Sequence, residues 1–222
     1  MAAPISVIIP TLDAEAELSA CLLGLVEGLD AGLVTELVIS DGGSSDETCK
    51  LADAWGAKIE TGPPSRGGQL RRGCAAARGE WFLVLHADTV LAPGWSAAVV
   101  KHLSQTKAGY FRLRFDRGGQ AVAAWANMRA RVFGLPFGDQ GLLIRRDLYE
   151  RVEGFADQPL MEDVAMARAL RGQLSAIDTD AVTSAARYRA QGWLRRGARN
   201  LWTQASYFVG VSPEILARSY RK

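Results

Sequence analysis

Cysteine and long apolar runs are scarce in this sequence. Its three cysteines, Cys21, Cys49 and Cys74, lie far apart, and none belongs to a Cys-x-x-Cys pair. An odd number of cysteines without metal-site spacing argues against a disulfide framework and favours free thiols in a reducing compartment. No apolar run approaches the roughly 20 residues of a membrane-spanning helix. No basic signal-peptide region precedes the first strand-like run, so we expect a cytoplasmic protein.

Two widespread nucleotide-binding motifs are also missing. The sequence contains neither the Gly-x-Gly-x-x-Gly spacing of dinucleotide-binding folds nor a Walker-type Gly-Lys-Ser/Thr. The length of 222 residues fits one domain, and 48% hydrophobic and 23% charged residues are ordinary for a soluble globular protein. Residues 164–222 carry 10 basic and 3 acidic side chains, whereas residues 1–163 carry 16 and 21. The basic end could meet phosphates, an anionic membrane or nucleic acid, or form a solvated helical face.

Strand and helix patterns alternate over the first hundred residues. Apolar runs predict strands at residues 5–9, 36–40, 57–60, 81–85, 110–115 and 142–144. Apolar spacing predicts helices at residues 15–29, 46–55, 66–79, 95–103, 120–133, 162–172 and 193–220. Ser45 or Asp46 is the expected cap of the second helix, and Gly79 is the expected stop of the third. The alternation indicates an α/β fold with a doubly wound, mainly parallel sheet.

Polar and glycine residues follow the first two predicted strands. Pro10-Thr11-Leu12-Asp13 comes directly after the first strand, with Glu15 just beyond, and Asp41-Gly42-Gly43 follows the second. Glycines let the backbone approach a ligand, and the Asp41 carboxylate can accept hydrogen bonds from a base or a ribose. Each segment alone is equally well explained as a capped turn.

Charged residues mark the third helix and the end of the fourth strand. Arg66-Gly67-Gly68-Gln69 begins the helix, where a guanidinium beside glycines suits a diphosphate, although surface helices often carry arginines. The strand ends in His86-Ala87-Asp88, and open α/β sheets place their chemistry at such strand ends. Imidazole and carboxylate ligands suit Mn²⁺, with Mg²⁺ also accommodated. The alternative is a hydrogen-bonded His–Asp pair without a metal.

Two segments of the second half also carry candidate residues. Glu162-Asp163 begins a predicted helix. One carboxylate there could act as a general base for an alcohol, or both could simply complement the positive helix end. Upstream, Gly138-Asp139-Gln140-Gly141 places amide and carboxylate groups between glycines, as a sugar-binding loop would. None of these segments decides the function alone.

Taken in order, these motifs resemble the family 2 glycosyltransferases of the GT-A fold. The resemblance covers roughly residues 4–170 and rests on the segments 7–13, 37–46, 83–88 and 162–163. It is similar in detail to a small, stand-alone bacterial subgroup with His-Ala-Asp in place of Asp-x-Asp, which has been associated with radical-SAM and selenoprotein-linked genes.

The resemblance implies one GT-A domain over residues 1–222. Its parts would be a nucleotide-binding lobe over about 1–108, an acceptor lobe over about 109–192 and a helical tail over about 193–222. The implied reaction is an inverting, metal-dependent transfer of sugar from a nucleoside-diphosphate donor, with a UDP-sugar favoured. The acceptor would be a hydroxyl of a small-molecule or lipid-linked compound.

The family's roles can be carried over residue by residue. Asp163 would be the catalytic base with Glu162 beside it, and Asp88 with His86 would hold Mn²⁺ or Mg²⁺. The implied nucleotide-binding residues are Pro10, Thr11, Glu15, Asp41, Gly42, Arg66, Gly67, His86, Ala87 and Asp88. The implied acceptor-binding residues are Gly138, Asp139, Gln140 and Glu162.

The chain departs from the family pattern at two places. His86 replaces the first aspartate of the usual pair, a position that contacts ribose more than metal. The Gln-x-x-Arg-Trp motif of processive enzymes is missing, so non-processive transfer is expected. The most similar segment is Gln-Gly-Trp-Leu-Arg at residues 191–195. A sugar-nucleotide pyrophosphorylase is one alternative, although Pro10-Thr11-Leu12-Asp13 stands where it needs a glycine-rich loop and a lysine. A non-catalytic nucleotide-sugar-binding scaffold is the other, and the presence of Asp88 and Asp163 argues against it.

The tail mixes large apolar side chains with arginines. Arg195, Arg196 and Arg199 are interleaved with Trp193, Leu194, Leu201, Trp202, Tyr207 and Phe208. This mixture fits peripheral contact with the inner face of the cell membrane and a lipid-linked acceptor. It also fits a closing helix whose aromatic residues pack on the core. No nucleic-acid partner is expected.

Overall fold

A computed structural model of the protein describes residues 4–220. The strands are β1 (Ile5–Thr11), β2 (Val34–Asp41), β3 (Lys58–Thr61), β4 (Trp81–Val84), β5 (Thr89–Leu91), β6 (Ala108–Phe115), β7 (Leu142–Arg145) and β8 (Leu174–Thr183). The helices are α1 (Glu15–Asp30), α2 (Thr48–Ala54), α3 (Arg66–Ala76), α4 (Trp95–Leu103), α5 (Gln120–Phe133), α6 (Arg146–Arg151), α7 (Glu162–Ala169), α8 (Ala186–Gln191), α9 (Trp193–Phe208) and α10 (Pro213–Tyr220). Within the described range, no helix combines the length and apolarity that crossing a membrane requires.

The strands form one eight-stranded sheet in the order β3-β2-β1-β4-β7-β6-β8-β5. β1 pairs in parallel with β2 and β4, and β2 pairs in parallel with β3. Beyond β4 the pairing is mixed, because β7 is antiparallel to β4 and β6, β8 is antiparallel to β5, and β6 and β8 are parallel. The predicted α/β class is confirmed, with the parallel arrangement confined largely to the first half. The ends of the predicted domain, residues 1–3 and 221–222, lie outside the described residues.

The central strands are buried on both faces, which explains their continuous apolar sequence. In β1, Val7 and Ile9 pack in one apolar cluster with Trp95 of α4, whereas Ile8 packs in a second cluster with Leu70 of α3. Successive strand residues point to opposite faces, so the two clusters lie on opposite sides of the sheet. This double burial holds β1 in register with β2, with its last residue opposite the last residue of β2.

Some elements differ from the prediction. The strand β8 was not predicted, because it alternates polar and apolar residues and contains Asp178 and Asp180 rather than an apolar run. It nevertheless pairs with both β6 and β5. The elements β5 and α6 were also missed. The helix predicted over residues 193–220 is two helices, α9 and α10, with Gly210 at a φ of +93° between them.

Gly79 does not end α3, contrary to the prediction. The helix ends at Ala76, and Ala77 already has an extended backbone. A Cβ on Gly79 would lie 2.6 Å from Ser6 N and 2.9 Å from Pro4 O. Its N–H donates to Ser6 Oγ at 2.7 Å. Glycine is therefore needed here for close approach to β1 and not for a left-handed turn.

We expect Gly79→Ala to lower the free energy of unfolding by about 1–3 kcal/mol, because the added methyl group overpacks against backbone. Urea unfolding followed by circular dichroism measures this change. Gly197→Ala is the matched control, because no heavy atom lies within 4 Å of its Cβ position and alanine is the better helix former. If Gly79→Ala is as stable as the wild-type protein, the close approach of residue 79 to Ser6 and Pro4 is contradicted.

Candidate functional site

The carboxyl ends of β1, β2 and β4 meet at one edge of the sheet. Because these strands run parallel, the chain that leaves them places Thr11, Asp41 and His86 along the same edge. A cleft of about 370 Å³ opens there and is named the sheet-edge cleft. It is lined by Pro10, Thr11, Leu12, Asp13, Ala14, Glu17, Pro64, Arg66, Gln69, His86, Ala87, Asp88, Pro159, Leu160, Arg187, Ala217 and Tyr220.

A second hollow of about 140 Å³, named the lobe cavity, adjoins this cleft. Its own walls are Phe115, Phe137, Gly138, Asp139, Met161, Asp163, Thr183, Ser184, Tyr188, Arg196 and Asn200. The residues that line both hollows are Arg66, His86, Asp88, Leu160, Arg187 and Tyr220. His86 and Asp88 therefore lie where the two spaces meet, with Pro10 and Thr11 in the cleft and Asp139 and Asp163 in the cavity.

Close packing with the neighbouring loop fixes His86. A Cβ on Gly138 would lie 2.4 Å from His86 Nε2, so residue 138 must be glycine for the imidazole to fit. Burial lowers the pKa of His86 and the Arg66 guanidinium lowers it further, while the carboxylates of Asp88 and Asp163 oppose this shift. The imidazole is therefore neutral near pH 7, the form that can coordinate a cation or accept a hydrogen bond.

Arg66 supplies a positive charge to both hollows. It is exposed to the solvent of the open cleft, yet protein groups surround it on the other sides. Burial would lower the pKa of Arg66, but the nearby Glu162 and Asp163 carboxyl groups outweigh this effect and raise it. A guanidinium at this place can pair with an anionic ligand.

Asp41 is 1% exposed and is held by its own loop. Its carboxylate accepts hydrogen bonds from Thr11 Oγ1 at 2.9 Å and from the N–H groups of Gly43 and Ser44 at 2.7 Å. Burial alone would raise the pKa of Asp41, but the hydrogen bonds from Ser44, Thr11 and Gly43 hold it below its usual range. Asp41 orders the loop and is not part of the cleft wall, so its contact with a nucleotide base stays a prediction.

Two glycines predicted to contact the nucleotide are packed against protein. A Cβ on Gly67 would lie 1.9 Å from Ala156 O, and the Gly67 N–H donates to Gln158 O at 3.0 Å. A Cβ on Gly42 would lie 3.2 Å from the Gln69 side chain. These positions do not support the predicted nucleotide contacts. Gly42 and Gly67 are glycines because α3 packs closely against the end of β2 and against the loop before α7.

Glu15 lies outside the wall of the cleft, so its predicted contact with the nucleotide stays a prediction. Its carboxylate accepts from Glu47 N at 2.8 Å and so ties the start of α1 to the start of α2. Asp13 and Glu17 line the cleft instead. Asp13 has a left-handed backbone with a φ of 47°, which aspartate tolerates better than most residues.

Other site residues were missed from the sequence. Gln69 clamps two strand ends, because its Nε2 donates to Thr11 O at 2.7 Å and to Ser40 O at 3.0 Å. The only signal for it was its place in the Arg-Gly-Gly-Gln segment. Arg187 and Tyr220 reach both hollows from α8 and α10, and no local pattern in the sequence predicts that these helices fold back onto the cleft.

Backbone N–H groups orient the Asp163 carboxylate at the start of α7. Gly138 N donates to Oδ2 at 2.8 Å, and Val164 N donates to Oδ1 at 2.7 Å. Met161, just before the helix, has a φ of 65°, a conformation that costs a residue other than glycine about 1–3 kcal/mol. The turn sets the direction in which α7 begins, with Asp163 at the lobe cavity.

The predicted acceptor loop divides into two roles. Gln140 is fully buried and its Nε2 donates to Phe111 O at 3.2 Å, so its predicted acceptor contact is not supported and it anchors the loop to β6. Asp139 does line the lobe cavity. Burial raises the pKa of Asp139 to about 6, while Arg129 opposes this shift and Asp163 adds to it. Arg129 was not predicted as part of the site.

Glu162 is 1% exposed and lines a small apolar pocket with Val84 and Phe155. Its Oε2 has no hydrogen-bond partner among the described residues. Burial and then the Asp163 carboxylate raise the pKa of Glu162 to about 7, although Arg66 opposes this shift. This position does not support the predicted acceptor contact. Glu162 is a buried acid next to the cavity residue Asp163.

Comparison with known protein families identifies the chain. The family model described as glycosyl transferase family 2 matches residues 6–161, well over half of the sequence. The chain belongs to glycosyl transferase family 2. The family-level resemblance predicted from the motifs is thereby confirmed, and the match covers the strand-end motifs, the 138–141 loop and the approach to α7.

Relatives and solved structures agree with this family. A PGL/p-HBAD biosynthesis glycosyltransferase of Mycobacterium tuberculosis is 38% identical over 99 residues, which are 41% of this chain and 38% of that protein. Residues 1–349 of S. aureus TarS match with a TM-score of 0.67 at 16% identity, over 82% of this chain and 60% of that fragment. Glucosyl-3-phosphoglycerate synthase from M. tuberculosis matches with a TM-score of 0.65 at 21% identity, over 94% of this chain and 79% of the synthase. The chain thus spans less than two thirds of the first two proteins, and the structural likeness confirms the GT-A fold.

His86 and Asp88 fit a metal ion whose remaining coordination positions are filled by a bound ligand and water. Within residues 4–220, no group of three or more His, Cys, Asp or Glu side chains could hold a metal ion. His86 and Asp88 offer one imidazole and one carboxylate where the hollows meet. Mg²⁺ and Mn²⁺ are often bound through one or two side chains, with substrate phosphates and water completing the coordination. The donor set therefore suits a cation that arrives with a diphosphate.

We expect Glu162→Gln to raise Tm relative to wild type at about pH 8 and much less at about pH 5. The folded pKa of Glu162 is raised from 4.5 to about 7, so its contribution to stability is complete below pH 4.5 and is lost as the pH rises through 7. Glutamine does not ionise and avoids this loss. Thermal melts across this pH range measure the difference.

Glu150→Gln is the control for this experiment, because Glu150 is an exposed residue of α6 and should show no such pH dependence. If the Tm difference between Glu162→Gln and wild type is the same at every pH, the raised pKa of a buried Glu162 is contradicted.

Proposed function

We propose that the protein is an inverting, non-processive, metal-dependent glycosyltransferase that moves a sugar from a nucleoside diphosphate to an acceptor hydroxyl. One observation carries this proposal: His86 and Asp88 line both the sheet-edge cleft and the lobe cavity, and Asp163 lines the lobe cavity beside them. A donor in the cleft would have its diphosphate near His86 and Asp88. Its sugar would then reach towards Asp163, where an acceptor in the cavity could meet it.

A UDP-sugar is the favoured donor. TarS has been solved with UDP and with UDP-GlcNAc, and glucosyl-3-phosphoglycerate synthase with Mn²⁺ and UDP-Glc. Those ligands belong to those proteins, and the shared fold supports them as first candidates for this chain. Pro10 and Thr11 line the part of the cleft formed by the end of β1 and would contact the nucleoside.

Positive groups would stabilise the leaving diphosphate. Arg66 and Arg187 line both hollows, and a guanidinium can pair with two phosphate oxygens. Such fixed charges stabilise a transition state in which negative charge builds on the leaving group. A Mn²⁺ or Mg²⁺ ion held by Asp88 and His86 would supply further neutralisation of that charge when bound.

Asp163 is the proposed general base. Its carboxylate, oriented by Gly138 N–H and Val164 N–H, would take the proton of the acceptor hydroxyl. The acceptor oxygen forms a bond to the anomeric carbon as the bond from that carbon to the diphosphate oxygen breaks. The nucleoside diphosphate leaves with the bonding electrons. One displacement of this kind inverts the configuration at the anomeric carbon.

The acceptor is proposed to be a small-molecule or lipid-linked alcohol in the lobe cavity. Asp139, Arg196 and Asn200 line this space and offer hydrogen-bonding groups for a hydroxylated compound. The missing Gln-x-x-Arg-Trp motif supports a single transfer in each binding event. The proposed setting is the cytoplasm of a bacterium, with the tail as the candidate contact to the inner face of the membrane.

We expect Asp163→Asn to lower kcat by about 10²–10⁴-fold while donor binding persists, because general base catalysis contributes a factor of this size. Release of nucleoside diphosphate from donor and acceptor measures turnover, and a thermal shift with the donor measures binding. Asp139→Asn is the matched variant. Asp139 and Asp163 are the two carboxylates that line the lobe cavity and not the sheet-edge cleft. If Asp139→Asn loses more turnover than Asp163→Asn, the base is wrongly assigned.

A thermal-shift panel of UDP, GDP, ADP and CDP, each with and without Mn²⁺, tests the donor site. A ligand that binds the folded state raises Tm by mass action, and we expect UDP with Mn²⁺ to give the largest shift. Asp88→Asn should abolish the Mn²⁺-dependent part of that shift, whereas the exposed control Asp53→Asn should keep it.

A larger shift with another nucleotide would reassign the donor base. An unchanged Mn²⁺ response in Asp88→Asn would contradict the metal assignment. Release of pyrophosphate instead of nucleoside diphosphate would support the pyrophosphorylase alternative, and nucleotide binding without turnover of any donor would support the scaffold alternative.

A further inference from the structure

Helix α9 is amphipathic, and its apolar face is the one exposed to solvent. Leu194, Ala198, Leu201, Ala205 and Phe208 succeed one another at intervals of four and three residues, which places them on one face of the helix. All of them are exposed, Leu194 to 90%. A surface helix normally turns such a stripe towards the core, so α9 has the opposite orientation.

The other face of α9 contacts the protein through polar residues and through Trp193 and Tyr207, which pack on apolar clusters. Arg196 and Asn200 line the lobe cavity, and Arg196 Nη2 donates to Tyr220 Oη at 3.1 Å. Trp202 and Val209, which flank the apolar stripe, are 75% and 81% exposed. The helix therefore separates a polar cavity from an apolar outer surface.

A second exposed apolar stripe is present on another helix. It lies on α5 and consists of Trp125, Met128, Val132 and Phe133, which are 46%, 39%, 63% and 59% exposed. Trp193 at the start of α9 packs beside Gly119 at the start of α5, where a Cβ would lie 2.3 Å from the indole. The two helices are thus neighbours at their first turns. We name the exposed stripe of α9, with the flanking Trp202 and Val209, the apolar surface.

The charged residues of α9 are all positive. They are Arg195, Arg196 and Arg199, and the sixteen residues of the helix include no acidic side chain. Arg195 precedes Trp202 by seven residues and so lies on the same side of α9. A dimer formed through this surface would set arginines against arginines. An anionic lipid interface complements both the apolar stripe and the positive charges.

We propose that the apolar surface docks on an anionic lipid bilayer, with α9 lying in the plane of the interface. The apolar stripe of α9 would enter the acyl boundary, and Arg195 would remain among the headgroups. This docking gives the proposed membrane contact of the tail a defined surface and a lipid class, and it does not depend on the proposed sugar transfer. It would bring the rim of the lobe cavity, formed in part by Arg196 and Asn200, to the depth at which a lipid-linked acceptor presents its hydroxyl.

Co-sedimentation with vesicles of phosphatidylcholine, with and without phosphatidylglycerol, tests this docking. We expect binding that requires phosphatidylglycerol and weakens as salt is added. The double variant Leu201→Glu with Trp202→Glu should lose about tenfold or more in partitioning, and Arg195→Gln about fivefold. Leu23→Glu is the control, because Leu23 is a 63% exposed apolar residue of α1 and should not change binding.

Fold and donor binding are checked for each variant by circular dichroism and by the thermal shift with UDP, and both should match wild type because the changed side chains face solvent. Wild-type protein that fails to bind phosphatidylglycerol vesicles would overturn the docking, as would full binding by the Leu201 and Trp202 double variant. A dimer in light scattering that this variant converts to a monomer would assign the surface to a second copy. Binding of a single-stranded oligonucleotide without binding of vesicles would assign it to nucleic acid.

Discussion

The aligned ends of the parallel strands β1, β2 and β4 are the constraint on which the site depends. Thr11 lies opposite Asp41, and Ile8 lies opposite Val84, so the chain leaves all three strands at one edge. A slip of one residue would turn every buried side chain to the wrong face of the sheet. Apolar packing on both faces fixes the register of the strands. It therefore also fixes the position of residues 86–88 at the edge of the sheet.

Glycine contributes to this site through close packing. Gly138 admits the His86 ring, Gly67 admits the carbonyl of Ala156, and Gly42 admits Gln69, and none of these three glycines has a positive φ. Such contacts leave little room for movement, since protein interiors are packed to near-crystalline density. A glycine-rich sequence that resembles a flexible phosphate-binding loop is here part of a rigid frame, and the groups free to meet a ligand are side chains such as Arg66 and Asp88.

The sequence predicts the parts of the structure that depend on local pattern. The buried strands, α1, α5 and the motifs at the strand ends are readable because apolar period and turn chemistry are local properties. Local pattern could not show that Glu162 and Asp163 lie in different surroundings. One is buried in an apolar pocket and the other lines the lobe cavity, because of the turn at Met161 and the distant Gly138 N–H. Asp41 was predicted to contact the nucleotide base, and the sequence did not show that contacts with its own loop bury it.

The orientation of α9 also depends on long-range contacts and not on local pattern. Its period predicts an amphipathic helix, but the period alone does not say which face meets the protein. The polar contacts decide this: Asn200 Nδ2 donates to Tyr188 Oη at 2.9 Å, and Tyr220 Oη donates to Asn200 Oδ1 at 3.0 Å. A helix whose polar groups are used to wall a cavity must turn its apolar residues outward. Leaving these residues in water is unfavourable by about 25 cal/mol for each Å² of apolar area, so a helix that forms such a wall gains from an apolar environment on its outer side.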